Sequence, residues 1–507
     1  MNRSALFALA LVAGCGHEAA SPGPLHADLP TYAPSNDPSK PAAGPPREHP
    51  PASAESKPAP FPAVRSHTLK NGLAVEIVEI HALPIVQLRV VVHAGMGYAP
   101  KQPGLADITA TLLKDGGTRT MTSAELLRRI EVLGADLSVS VGVDSTTLGT
   151  AVTKDRLGEA LGLVGEVVQS PRFDERELGK LKTRESDEAE DQLRSSGQFT
   201  AMHALFRELF PKGSPYAVYG ALPSDIAKIT GAAVRDFHGR FYVPKNATVV
   251  VVGDVTDAEA SAQIERVFGG WAGEPPPKVE FPAAPPPTKR KILVASRPKS
   301  AQSDVFVAGF AVPRTADAWP EARVANQVLG GGVSGRLFLD VREQRSLAYS
   351  AYSRIVELAH GDQPAVLYAG TQTEKTADAV TGLLENMEKI TEHGVQEGEV
   401  ETARRYLSDV FAIRMETIGS IADMVAELWT LSLPYDYWDR YRDAVRRTTA
   451  SAASTVAPKL YHPNASIIAI AGDADAIAPK LTRFGEVTVI DPEHEFATVR
   501  TLPAEAK

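Results

Sequence analysis

Few residues in this chain of 507 are of types and spacings that support catalysis. Of its 12 histidines, none lies four positions from another, so no helical turn presents a histidine pair to a metal. The single cysteine, Cys15, lies in an apolar leader, and no Gly-x-Ser-x-Gly elbow marks a serine hydrolase. An acidic run, RESDEAEDQ (184–192), offers Glu185 and Glu188, and reads first as a solvated helix face. A glycine-rich turn, GGGVSGRLF (330–338), runs into VREQRSLAYS, where Arg342 and Tyr349 stand seven residues apart. On spacing alone, Arg342 is a helix-surface charge and Tyr349 a strand residue packing a sheet. Arg336 and Arg345 read as solvated helix charges.

These residues sit in a chain with two similar halves. FYVPKNATVVVVGDV (241–255) closes the first half and LYHPNASIIAIAGDA (460–474) lies near the end of the second. Tyr242, Pro244, Gly253 and Asp254 return 219 positions later as Tyr461, Pro463, Gly472 and Asp473, and Gly149 returns as Gly370. A near-constant offset over such a distance indicates a duplicated domain. In each half β-rich runs (LAVEIVEI, VQLRVVVHAG, DVFVAGFAV) precede a helix, further strands, long amphipathic helices and a Val/Ile-rich strand ending in Gly-Asp. This order predicts an α/β (α+β) fold of two homologous domains, each a two-layer sheet backed by helices.

The chain carries a formal net charge of −9 without a basic tract, which argues against a nucleic-acid partner. Its start, MNRSALFALALVAGC, has an export leader's arginine and short apolar run, then small residues before Cys15. It resembles a bacterial lipobox and predicts lipid on Cys15, anchorage without a membrane-spanning helix and a periplasm-facing protein of the cell envelope. Gly16 in place of Asp favours the outer membrane by the usual sorting rule. The expected division is a leader over 1–15, a Pro-rich tether over 16–62 and a first domain over 63–273. A Pro-rich linker over 274–291, a second domain over 292–490 and a tail over 491–507 complete it.

The opening TLKNGLAVEIVE (68–79), the GLA at 104–106, the GDV strand end and LGGGVSGRLFLDVREQRSLAYSAYS (329–353) together resemble the pitrilysin/insulinase-type zinc peptidases, the inverzincins. That family includes the subunits of the mitochondrial processing peptidase. The resemblance spans about 64–490. It implies domains that close into a clam-shell chamber around an extended peptide, this chain forming half of it. In the family the stretch matching GLADITATLLKDGG (104–117) carries His-x-x-Glu-His. Here the first His position is Asp107, the Glu position Ala110 and the second His position Thr111. Asp107 is a poor single ligand, Thr111 cannot replace an imidazole and Ala110 cannot act as a base. A third ligand would fall at Glu185 or Glu188.

The resemblance also makes Arg342 and Tyr349 the family's Arg/Tyr pair. As a peptide carbonyl is attacked its oxygen becomes negative; a tyrosine hydroxyl donates to it and an arginine holds the carbonyl. The expected function is therefore the non-zinc subunit of a heterodimeric zinc endopeptidase, inactive alone. Zinc is expected in a homologous partner subunit and no cofactor in this chain. The alternative is a catalytically inactive scaffold or interaction protein of the cell envelope.

Overall fold

The computed structural model describes residues 59–506. Cys15, the leader and nearly all of the tether lie outside the described residues. The first half forms a six-stranded sheet from β1 (Arg65–Thr68), β2 (Ala74–Glu79), β3 (Ile85–Val92), β4 (Ser138–Val141), β5 (Thr146–Thr153) and β6 (Ala247–Gly253), in the order β1-β2-β6-β3-β5-β4. The second half forms a seven-stranded sheet from β7 (Lys291–Ser296), β8 (Gln302–Pro313), β9 (Ala348–Ile355), β10 (Asp362–Gln372), β11 (Ile467–Gly472), β12 (Val487–Asp491) and β13 (Ala497–Leu502), in the order β13-β12-β7-β11-β8-β10-β9. Without β1, β12 and β13 the two sheets have one topology. In this shared set β2 pairs in parallel with β6 and β7 with β11, and the other pairings are antiparallel; outside it, β12 also joins β7 in parallel. The duplication read from sequence offsets is thus a repeat of strand order and direction.

Seven helices position the sites discussed below. They are α1 (Leu105–Asp115), α2 (Glu175–Ser195), α3 (Gly197–Leu209), α4 (Trp319–Gly330), α5 (Glu397–Arg414), α6 (Ile418–Thr430) and α7 (Tyr437–Arg447). Local sequence fixes their starts. Asp174 accepts from the backbone N–H of Arg176 and Glu177 to open α2, Ser196 accepts from Phe199 to open α3, and Thr417 accepts from Ser420 to open α6.

The expectation of two layers per domain is corrected: each sheet is covered on both faces, the second time by a helix from the other half. Along β6 the side chains alternate. Val249 and Val251 pack with helices of the first half, while Val250 and Val252 join Ile421, Met424 and Val425 of α6. Along β11, Ile468 and Ile470 face the second half's own helices, and Ala469 and Ala471 face Ala201, Met202, Leu205 and Phe206 of α3. The exchanged helices α3 and α6 begin at Gly197 and Ile418, the same separation as Gly149 and Gly370. Polar contacts pin both. Arg89 Nε donates to Asp423 on α6 at 2.9 Å, and Gln198 Nε2 on α3 donates to Tyr368 Oη at 2.8 Å, which in turn donates to Asp304. His93 stacks on Trp429 of α6 at 4.1 Å, and burial lowers its pKa to about 4, so it packs there as a neutral ring.

The expected tail is also corrected. Residues 497–502 form β13 on the edge of the second sheet, and buried Phe496 stacks on His203 of α3 at 4.5 Å. The Pro-rich linker crosses without regular structure, yet Phe281 packs in it against Tyr98, Tyr216 and His360. At the tether's end, Phe61 is buried in the second half, with its backbone N–H on Asp439 at 3.1 Å. Among the described residues no helix is long and apolar enough to cross a membrane.

Candidate functional site

Helix α1 holds the degenerate zinc-motif positions. Its first cap, Gly104, has φ +84°, and an added Cβ would stand 2.9 Å from the Ala221 Cβ. Glycine is required there by backbone conformation and close approach together. That requirement explains why the frame around residues 107–111 persists without the ligands. Asp107 lies half-buried in the first turn, Ala110 is fully buried, and Thr111 is half-buried.

The structure does bring Asp107 together with Glu185 and Glu188 of α2. They line one cavity of about 160 Å³ with Gly104, Phe199 and Gly220. The acidic run is therefore a solvated face only in part, since two of its carboxylates turn toward α1. Burial pushes the Asp107 carboxyl up to about 6, with the Glu185 charge adding to the rise; burial and the Glu188 charge raise Glu185 as well. Phe199 narrows the cavity, its ring 2.7 Å from where a Cβ on Gly220 would stand. Zinc does not fit this donor set. Ala110 has no functional group, Thr111 no imidazole, and crowded carboxylates that favour protonation are weak ligands. Among the described residues no group of three His, Cys, Asp or Glu side chains is placed to hold a metal ion.

The segment that carries Arg342 and Tyr349 brings the two side chains together. The glycine turn before it folds tightly. A Cβ on Gly330 would meet the Ser353 backbone nitrogen of β9 at 2.6 Å, and one on Gly335 would meet the Gly330 Cα at 2.8 Å. The chain then winds through Phe338–Gln344 in wide turns, with the Arg345 N–H reaching the Asp340 carbonyl five residues back. Wide turns of this kind occur often at functional sites. Two expected surface charges hold this segment, and their assignment as solvated helix charges is corrected. Arg336 grips both oxygens of Glu399 at 2.7 Å and also reaches the Gly394 carbonyl. Arg345 bridges Asp340 at 2.8 Å and Glu385 at 2.7 Å, while Asn386 donates to the other Asp340 oxygen. Arg345 has one local partner, Asp340 five residues back, but Glu385 and Glu399 lie 40 and 63 residues on from Arg345 and Arg336.

The segment ends at β9, the edge of the second sheet. Tyr349 stands there 85% exposed, and the Arg342 guanidinium carbon lies 5.2 Å from its ring centroid. Arg342 also lies over Phe338 at 4.6 Å and pairs with Glu343 at 3.4 Å. Tyr349 does not pack the sheet, so both groups remain available to a bound chain. Neither lines the cavity at Asp107.

Comparisons with known proteins agree with this architecture. Residues 75–217 match the family model described as insulinase (peptidase family M16), and residues 228–407 match that of the peptidase M16 inactive domain. An uncharacterized zinc protease of Mycobacterium leprae is 28% identical over 381 residues, covering 72% of this chain and 82% of its own length. A protein named a non-peptidase homolog, from Helicobacter pylori, is 24% identical and covers 73% of this chain and 86% of its own length. Among solved structures, a peptidase M16 inactive domain from Pseudomonas fluorescens superposes with a TM-score of 0.75 at 24% identity, over 81% of this chain and 98% of its own. A Helicobacter pylori protease gives 0.73 at 20% identity, over 81% of this chain and the whole of its own. With one strand topology repeated in both halves, Asp107, Ala110 and Thr111 at the zinc-motif positions and two matching family models, this chain belongs to the insulinase family, peptidase family M16.

Proposed function

We propose that this chain is the non-zinc subunit of a two-chain zinc endopeptidase. The observation that carries this reading is the preserved Arg342/Tyr349 pair, side by side on an exposed sheet edge, in a chain whose own zinc positions hold Asp107, Ala110 and Thr111. A homologous partner with His-x-x-Glu-His supplies the zinc and the base. This chain closes the other half of the chamber, receives an extended peptide along a sheet edge and presents Arg342 and Tyr349 to the scissile carbonyl. The Tyr349 hydroxyl donates to the oxygen that becomes negative, and Arg342 adds positive charge beside it. Lipid on Cys15 tethers the complex to an envelope membrane, and Cys15→Ala releases the chain from the membrane fraction.

The test is cleavage of a quenched unstructured peptide by this chain, by its zinc-motif partner and by the two mixed, with zinc content measured alongside. Only the mixture cleaves, zinc follows the partner, and Tyr349→Phe in this chain lowers kcat roughly 10²–10³-fold. A fully active partner alone, or no effect of Tyr349→Phe, makes the pair structural. The chain is then a scaffold, the reading favoured by its likeness to a protein named a non-peptidase homolog. Stoichiometric zinc and cleavage by this chain alone overturn both readings.

A further inference from the structure

The second half contains a cavity in the place that the degenerate zinc site occupies in the first. Helix α1 follows β3 and α4 follows β8, equivalent strands of the two halves, and α2 and α5 each precede the exchanged helix. Each pair packs together. Beside α4 and α5 lies a cavity of about 510 Å³, within the size range of small-molecule sites.

Its walls carry four arginines, Arg314, Arg323, Arg354 and Arg414, against two glutamates, Glu357 and Glu427. Arg314, 6% exposed, pairs with both glutamates; Arg323 reaches Glu357 at 2.6 Å and Arg414 reaches Glu427 at 3.5 Å. Arg354, exposed on β9, takes no part in this pairing. Formal charge in the cavity is therefore positive by two. Trp319, Tyr437, Trp438 and Tyr441 complete the wall, with Arg314 lying 5.2 to 5.9 Å from three of the rings. Three buried donors here have no hydrogen-bond partner: Arg314 Nε, the Tyr437 hydroxyl and the Trp438 indole N–H. Buried donors are ordinarily satisfied, and each unsatisfied one carries a cost.

We propose that this cavity binds a small organic anion carrying two negative charges, as carboxylates or phosphate. The arginine forks match the planar, bidentate geometry of both groups, and the aromatic walls exclude water around them. Arg354 at the mouth supplies the charge the inner arginines have already given to Glu357 and Glu427. None of the lining residues is Arg342 or Tyr349, so the site is separate from the proposed peptide-processing edge.

The test uses the full chain in phosphate-free buffer of low ionic strength, titrated with succinate, with inorganic phosphate and with neutral succinamide. Calorimetric heat and the fluorescence of Trp319 and Trp438 are followed together. Succinate or phosphate binds saturably and shifts the fluorescence, and succinamide does not bind. Arg354→Ala weakens binding at least tenfold, and Arg354→Lys restores it to within threefold. Binding of succinate alone assigns a dicarboxylate, and of phosphate alone a phosphate ester. Absence of binding by both anions up to 10 mM, or binding that Arg354→Ala leaves unchanged, overturns the proposal. Because Arg354 is exposed, its variants fold, which a thermal melt checks.

Discussion

The cavity at α1 and α2 and the cavity at α4 and α5 occupy equivalent places in two copies of one domain, yet their chemistry is opposite. The first is small and lined by carboxylates, with Phe199 narrowing it. The second is three times larger and rich in arginine and aromatic rings. Duplication fixed where a site can form, between a helix behind the sheet and a long helix crossing it. The side chains placed there then diverged independently. Family membership therefore predicts the location of a site better than its activity.

The sharpest way to break this comparison is to remove the anionic side of the second cavity. Glu357→Ala leaves buried Arg314 and its neighbour Arg323 without their shared carboxylate and is expected to cost about 3 kcal/mol, read as a lower urea midpoint. A change under about 1 kcal/mol shows that Glu427 alone satisfies Arg314.

The first cavity responds with the opposite sign. The folded pKa of Asp107, about 6, lies above its ordinary 3.8, so the fold disfavours the ionised form. That cost is absent below about pH 4, grows between pH 4 and 6 and is complete above it. Asp107→Asn removes the charge and is expected to stabilise the protein by about 1–3 kcal/mol at pH 8, with the gain vanishing toward pH 4. A gain independent of pH between 4 and 8 means that ionisation is not the source.

A smaller effect tests the frame itself. Gly104→Ala forces a side chain into positive φ against Ala221, at a cost of about 1–2 kcal/mol measured by thermal melt. An unchanged melt removes the steric reason for the retained glycine. The smallest effect concerns the exchanged helices. Asp423 is 65% exposed, so Asp423→Ala loses less than about 1 kcal/mol despite the 2.9 Å contact with Arg89. A larger loss places the hold of α6 in that ion pair rather than in Ile421, Met424 and Val425.

Much of this was legible in the linear chain. The repeated Tyr, Pro and Gly-Asp positions disclosed two domains, because strand ends and turns depend on local residue types. The missing zinc ligands were legible for a stronger reason. No fold can provide imidazole at Thr111 or a carboxylate at Ala110, so the absence is settled by covalent structure. The pairing of Arg342 with Tyr349 came from the family resemblance, since spacing alone would have packed Tyr349 against the sheet.

Tertiary structure alone decided the remainder. The apolar stripes of α3 and α6 specify burial but not which sheet receives them, and packing assigned each to the opposite half. Arg336 and Arg345 looked like solvent charges because Glu399 and Glu385, which they grip, are remote in the chain. The same holds for the arginine-lined cavity, which gathers residues from Arg314 to Tyr441. Electrostatic partnership depends on distance in space, which sequence separation does not encode. The sequence determined what this protein lacks and where its domains repeat; the fold decided which charges meet and what the second cavity can hold.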